Sequence, residues 1–267
     1  GDVYKRQDGI HADNTLNING GDVTITESYE GIESATITLN AGTIRLVSND
    51  DGINASSGTG GGAMWQQGPG FKSGDNSLYI NGGYIAVDAM GDGLDINGPI
   101  EMTGGVVIVN GPVSNGNGAL DYAGTFNVTG GFLIAVGSAG MAQAPSASSS
   151  QYSVMVNLPT PQTADTPVHI ETATGEEILT FLPTKEYQSV VLSSPDLENS
   201  ATYVVYTGGS ATGAVSDGLY TNAGYTAGTQ VDNFTISSMV TGAGSYGGGM
   251  PGGNLSLIHI SEPTRPY

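Results

Sequence analysis

Apolar and polar residues alternate in the first half of the chain, in runs too short for helices. Leu16-Asn17-Ile18-Asn19 is followed by Val23-Thr24-Ile25-Thr26, and Ala35-Thr36-Ile37-Thr38-Leu39 by Thr43-Ile44-Arg45-Leu46-Val47. Further pairs are Leu78-Tyr79-Ile80 with Tyr84-Ile85-Ala86-Val87, Ile100-Glu101-Met102 with Val106-Val107-Ile108-Val109, and Phe126-Asn127-Val128 with Phe132-Leu133-Ile134-Ala135-Val136. A period of two puts alternate side chains on opposite faces and predicts strands. Between the members of each pair stand corner residues: Asn19-Gly20-Gly21, Asn40-Ala41-Gly42, Asn81-Gly82-Gly83, Thr103-Gly104-Gly105 and Thr129-Gly130-Gly131. Asn and Gly tolerate positive φ and so mark sharp turns.

A third element precedes each pair. Asp8-Gly9-Ile10-His11-Ala12 recurs as Glu30-Gly31-Ile32-Glu33-Ser34, Asp51-Gly52-Ile53-Asn54-Ala55 and Asp92-Gly93-Leu94-Asp95-Ile96. Weaker copies follow at Gly118-Ala119-Leu120-Asp121-Tyr122 and Ala139-Gly140-Met141-Ala142-Gln143. Gly9, Gly31 and Gly52 are 22 and 21 residues apart, and the longer step to Gly93 holds one coil plus an insertion at 56–74. Three short strands per coil of about 21 residues predict an all-β chain, a parallel β-helix whose stacked coils share one aliphatic core. An antiparallel sandwich is the competing architecture, but it has no need of a recurring acid-Gly-aliphatic motif.

The repeat stops at the polar run Ser146–Ser150. Strands are expected after it at Tyr152–Val156, Val168–Glu171, Ile178–Leu182, Ser189–Leu192, Tyr203–Thr207 and Phe234–Ser237, with a hairpin turn at Thr174-Gly175. The expected organisation is therefore a coil region at 8–145, a β-rich cap at 146–240 and a Gly-rich tail at 241–254. Residues 1–7 and 255–267 read as adapter scars: Asp2–Gln7 and Leu255–Ile260 back-translate to reverse-complementary DNA, similar to a transposase sequencing adapter. The natural segment is accordingly expected to be cut at both ends.

Charge sharpens the picture. The chain carries 25 acids against 6 Lys and Arg, a formal charge of −19. Nucleic acid and anionic membranes need basic patches and are poor partners for it. No apolar run reaches the ~18 residues of a membrane span, so no membrane insertion is expected. Cysteine is absent, which excludes disulfides and thiolate metal sites.

Stacking coils places equivalent residues about 4.8 Å apart. Asp8, Glu30, Asp51 and Asp92 then share one position, with Asp50 alongside. His11, Glu33, Asn54, Asp95 and Asp121 share another. Like charges at that spacing repel by roughly 3 kcal/mol at an effective dielectric near 20. Divalent cations would relieve the repulsion, and clustered carboxylate and amide oxygens are hard ligands suited to calcium. The alternative is a solvated, screened column whose Asp-Gly pairs serve only as turns. His11 stands alone in this reading, without a transition-metal set.

The motifs Asp8-Gly-Ile-His-Ala, Asp50-Asp-Gly-Ile-Asn-Ala, Gly91-Asp-Gly-Leu-Asp-Ile-Asn-Gly, Gly140-Met-Ala-Gln-Ala-Pro and Tyr187-Gln-Ser-Val-Val-Leu-Ser-Ser-Pro-Asp resemble a bacterial, clostridial-type carbohydrate-binding β-helix family. The likeness covers nearly all of 8–240. It implies a right-handed parallel β-helix with a pectate-lyase-like fold, bound calcium, and binding of plant cell-wall polysaccharide such as polygalacturonate and cellulose. By the same likeness the metal ligands fall on Asp8, Glu30, Glu33, Asp50, Asp51, Asp92, Asp95 and Asp121. Substrate contacts are expected from Arg45, Trp65, Lys72 and Tyr122. Trp65 in the insertion would stack on a sugar or, equally, clip the loop to the body. The expectation is a monomeric extracellular or cell-surface protein of bacteria. A calcium-dependent pectate lyase, with Arg45 or Lys72 as its base, and a calcium-stiffened adhesin are the rival functions. Ice binding by Thr24, Thr26, Thr36 and Thr38 is a remote option, because later coils do not continue the array.

Overall fold

The computed structural model describes residues 7–57 and 76–242. The tail beyond Gly242 and both adapter-like segments, apart from Gln7, lie outside the described residues. Strands account for all the regular structure described, with no helix among them. In chain order they are β1 (Ile10–Ile25), β2 (Ile32–Ser48), β3 (Ile53–Ala55), β4 (Ser77–Ile80), β5 (Tyr84–Ala89), β6 (Leu94–Ile96), β7 (Ile100–Met102), β8 (Val106–Asn110), β9 (Leu120–Tyr122), β10 (Phe126–Val128) and β11 (Phe132–Gly137). Then come β12 (Ser153–Gln162), β13 (Val168–Thr172), β14 (Glu177–Phe181), β15 (Tyr187–Ser193), β16 (Thr202–Thr207), β17 (Ser210–Ser216), β18 (Leu219–Thr226), β19 (Thr229–Thr235) and β20 (Val240–Thr241).

Three parallel ladders run through the first half. The first aligns Ile10, Ile32, Ile53, Leu94 and Leu120. The second aligns Leu16, Ile37, Leu78, Ile100 and Phe126. The third aligns Ile25, Leu46, Val87, Val109 and Ala135. The first two repeats differ from the expected trio of short strands. β1 and β2 each run through all three ladders, and their corners are register shifts between Ala12 and Thr15 and between Ile18 and Asp22. The ladders enclose one aliphatic core in which Ile32, Ile37, Ile53, Leu78, Ile100 and Phe126 are fully buried. Each such side chain contributes about 1.5–3 kcal/mol.

Glycine serves two different purposes in the repeat. At the Asn-Gly-type corners Gly21, Gly42, Gly83, Gly105 and Gly131 take φ of 88–101°, as turn chemistry requires. The glycines after the acids have no such backbone. They are there for space: a Cβ on Gly31 would strike the carbonyl oxygen of Gly52, one on Gly52 that of Gly93, and one on Gly93 that of Ala119.

The larger sheet is mixed, not purely parallel. β15 pairs antiparallel with β11, and β12 antiparallel with β15, so the polar run at 146–150 does not end the sheet. A second sheet, ordered β17-β18-β14-β13-β16-β19, has antiparallel neighbours throughout. β13 and β14 form the expected hairpin. β17, β18 and β20 were not foreseen, because their Thr, Gly and Ala content leaves little alternation to read. A second core includes Ile108, Ile134, Val136, Val168, Ile170 and Phe181. It joins the second sheet to the outer face of the third ladder. This explains the unbroken runs Val106–Val109 and Phe132–Val136, since strands covered on both faces need apolar residues at every position.

Candidate functional site

The acid-Gly motifs meet on the first ladder. Gly9 N donates to Glu30 O, Gly31 N to Asp51 O and Gly52 N to Asp92 O, at 2.8–2.9 Å. These bonds hold Asp8, Glu30, Asp51 and Asp92 at successive levels of the stack. Beside them His11, Glu33, Asn54, Asp95 and Asp121 stand in direct register.

Asp51, Asp92 and Asp95 converge, each offering an oxygen within 4.8 Å of the others. Two of these carboxylates are braced by backbone. Asp51 Oδ1 accepts from Asp92 N at 2.7 Å, and Asp92 Oδ1 from Gly118 N at 2.6 Å. Asp121, one level on from Asp95, accepts from Gln143 Nε2 at 3.0 Å. The Asp50 and Asp51 carboxylates both face Gly91, where a Cβ would collide with them. Asn54 is 7% exposed, and its Nδ2 donates to Glu30 Oε2 at 2.8 Å. Its Oδ1 is buried without a hydrogen-bond partner. An unsatisfied buried acceptor costs about 1–3 kcal/mol and calls for a partner. The converging donor set is therefore all oxygen and anionic, and Asn54, in register with Asp95, has an amide oxygen with spare capacity. Such a set fits a hard divalent cation and suits no soft metal.

Burial is the largest cause of unusual acidity here. It pushes Asp51 up to about 6, Asp92 to about 7 and Asp95 to about 8, with neighbouring carboxylates adding to each. Glu30 rises to about 7 for the same first reason, against the opposing bond from Asn54. A folded-state pKa above the unfolded value means that the native state holds protons which the unfolded chain releases. Stability is then lost as pH rises from about 4 through about 8. We expect the chelated protein to melt roughly 10 °C lower at pH 8.5 than at pH 5. That corresponds to about 3 kcal/mol once water screening at the half-exposed Asp92 and Glu30 is allowed for. Calcium should abolish the fall. Scanning calorimetry at the two pH values, with and without chelator, measures both; a flat or rising profile in chelator would contradict the assignment.

The N-terminal end of the column differs. His11 is not alone there: Nδ1 lies 2.6 Å from Glu33 Oε2 and 3.6 Å from Asp8 Oδ2, and Nε2 lies 3.2 Å from Asp13. Asp13 and then Glu33 push the pKa of His11 up. The sequence could have disclosed this, since His11 occupies the repeat position of Glu33.

The expected substrate residues are dispersed. Arg45 lies on the third ladder, in register with Thr24 and Ala86, away from the acids of the first. Its Nε donates to both oxygens of Asp217 at 2.9 and 3.0 Å, and its guanidinium covers the Tyr84 ring at 5.3 Å. Nothing in the sequence pointed to this pairing across 172 residues. Tyr122 packs edge-on against Phe126 and donates to Ala144 O at 2.7 Å, which commits its ring to the core. Lys185 is bound to Ala89 O and to Asp88, at 2.5 and 2.7 Å. Trp65 and Lys72 lie outside the described residues, as does the insertion beyond Ser57. No family model, curated protein or solved structure matches the chain.

Proposed function

We propose that this chain is a right-handed parallel β-helix that holds calcium on its first ladder and, with it, binds acidic cell-wall polysaccharide such as polygalacturonate. The convergence of Asp51, Asp92 and Asp95 carries the reading, with Asn54 and its unpartnered oxygen in register with Asp95. Those four residues would hold the ion, with Asp50 and Asp121 adding negative charge at its margin. Bound calcium supplies the positive charge that lets an acidic protein attract uronate carboxylates instead of repelling them. Sites built from a few partly exposed carboxylates work where free calcium is high, which suits an extracellular protein. The recurring acid-Gly motifs, the parallel register of the three ladders and the resemblance noted in the sequence support the same reading.

Binding is favoured over lyase chemistry by the bases. Proton abstraction beside a uronate carboxylate needs a base near the cation. Among the described residues the Lys and Arg side chains are Arg45 and Lys185, and both are paired with carboxylates off the acidic column. Titration calorimetry of polygalacturonate into the protein, in calcium and then in chelator, tests the proposal. Saturable heat that vanishes in chelator is expected. Sustained heat after each injection would mean turnover. No heat from folded protein in either buffer would remove the glycan and leave a calcium-stiffened stalk.

A further inference from the structure

A groove of about 250 Å³ runs along the outer face of the third ladder, at the place where the cover from the second sheet stops. Further along the ladder the equivalent outward positions, Ile108 and Ile134, are buried beneath that cover. At the earlier levels they are Thr24, Arg45 and Ala86, which line the groove, with Ala86 at the edge of the second core. The turn between β17 and β18 forms one wall. It is pinned there by the Arg45–Asp217 pair and by Tyr84 Oη donating to Ser216 O at 3.1 Å. The lining is mainly apolar, and Val47 within it is 45% exposed.

We propose that this groove is a second carbohydrate site, taking an uncharged sugar ring without calcium. The inference rests on the reading of the chain as a glycan binder, but at a site separate from the acidic column. Three observations support it. First, the charges are already matched: Arg45 is bonded to Asp217, and Asp88 to Lys185 at 2.7 Å. An ionic ligand would have to break a pair, whereas a neutral one need not. Second, polar groups ring an apolar floor. Thr24 and Thr26 are exposed hydroxyls, and Arg45 Nη1 meets no acceptor among the described residues. A pyranose presents the complement, with C–H groups on its face and hydroxyls around its edge. Third, the volume lies just below the roughly 300–1,000 Å³ of pockets for drug-sized ligands, which suits one ring of a longer chain.

The test uses the whole chain in chelator, where the acidic column cannot contribute. Neutral hexasaccharides of glucose, xylose and galactose are titrated in by calorimetry. Saturable binding of at least one is expected. It should weaken at least tenfold in Val47→Glu, which places an unmatched charge on the groove floor at an exposed position. Val113→Glu, an exposed site elsewhere, should leave it unchanged. Polygalacturonate binding in calcium should be equal in all three proteins, so failure of the column and failure of the groove read out separately. No neutral binding by folded wild type would overturn the proposal. So would equal binding by Val47→Glu, or a concentration-dependent dimer abolished by that substitution, which would make a second copy the occupant.

Discussion

Asp95→Asn is expected to shift the melting temperature in opposite directions with and without calcium. In chelator at about pH 9 the variant should melt above wild type. It replaces a half-buried charge that Asp51, Asp92 and Asp121 all oppose, and removal of that repulsion is worth about 1 kcal/mol once solvent screening is allowed for. In calcium it should melt below wild type. One of the three converging carboxylates is gone, and loss of about 3 kcal/mol of charge–charge attraction lowers affinity roughly a hundredfold. Wild type in calcium at a hundred times its Kd gains about 2.7 kcal/mol from binding, which the variant forfeits. Differential scanning calorimetry in the two buffers, with calorimetric titration of calcium, measures both signs. A substitution that merely damaged the fold would lower both melting points. A purely solvated column would let the variant melt higher in both buffers.

Gly52→Ala should be among the most disruptive small substitutions in the coils, for a reason unrelated to turn chemistry. The added methyl would run into Val87 Cγ1 and into Gly93 O of the next level. Gly52 also donates to Asp92 O at 2.8 Å, so the levels cannot separate without losing that bond. Overpacking of this kind costs about 3 kcal/mol, enough to lower the melting point by roughly 6–12 °C. Because Asp51 precedes the glycine and Asp92 lies across from it, calcium affinity should fall as well. Gly116→Ala, at an exposed position with space around it, should be neutral. Equal melting of the two variants would refute the close-approach account.

Repetition made the three parallel ladders legible. A motif that recurs every 21 or 22 residues must meet its own copies when the chain stacks. The registers of Ile10 with Ile32 and of Ile32 with Ile53 follow from counting alone. The acidic column was visible for the same reason. Asn54 was on that column too, but only coordinates reveal that its amide nitrogen is committed to Glu30 while its oxygen is not. The second half has no internal copies to count. The partners of Arg45 and Asp88 come from turns about a hundred residues or more away, and a single Asp or Lys in a turn gives no hint of such contacts. β17 and β18 escaped notice because both their faces are largely solvent-exposed. They never needed the apolar alternation by which strands are recognised.

The double cover on the third ladder has a consequence for how this architecture can change over time. Every residue of β8 and β11 beyond the first is buried, pressed between two cores. A polar substitution there has nowhere to turn, so those two levels are closed to innovation. The first and second ladders turn one side away from the aliphatic core, where Glu33, Asn54, Asp95 and Asp121 line one column and Thr38, Tyr79, Glu101 and Asn127 the other. Those columns are interchangeable letters on a fixed frame. New recognition can be written on them one level at a time, while the covered face keeps the frame rigid enough to display it.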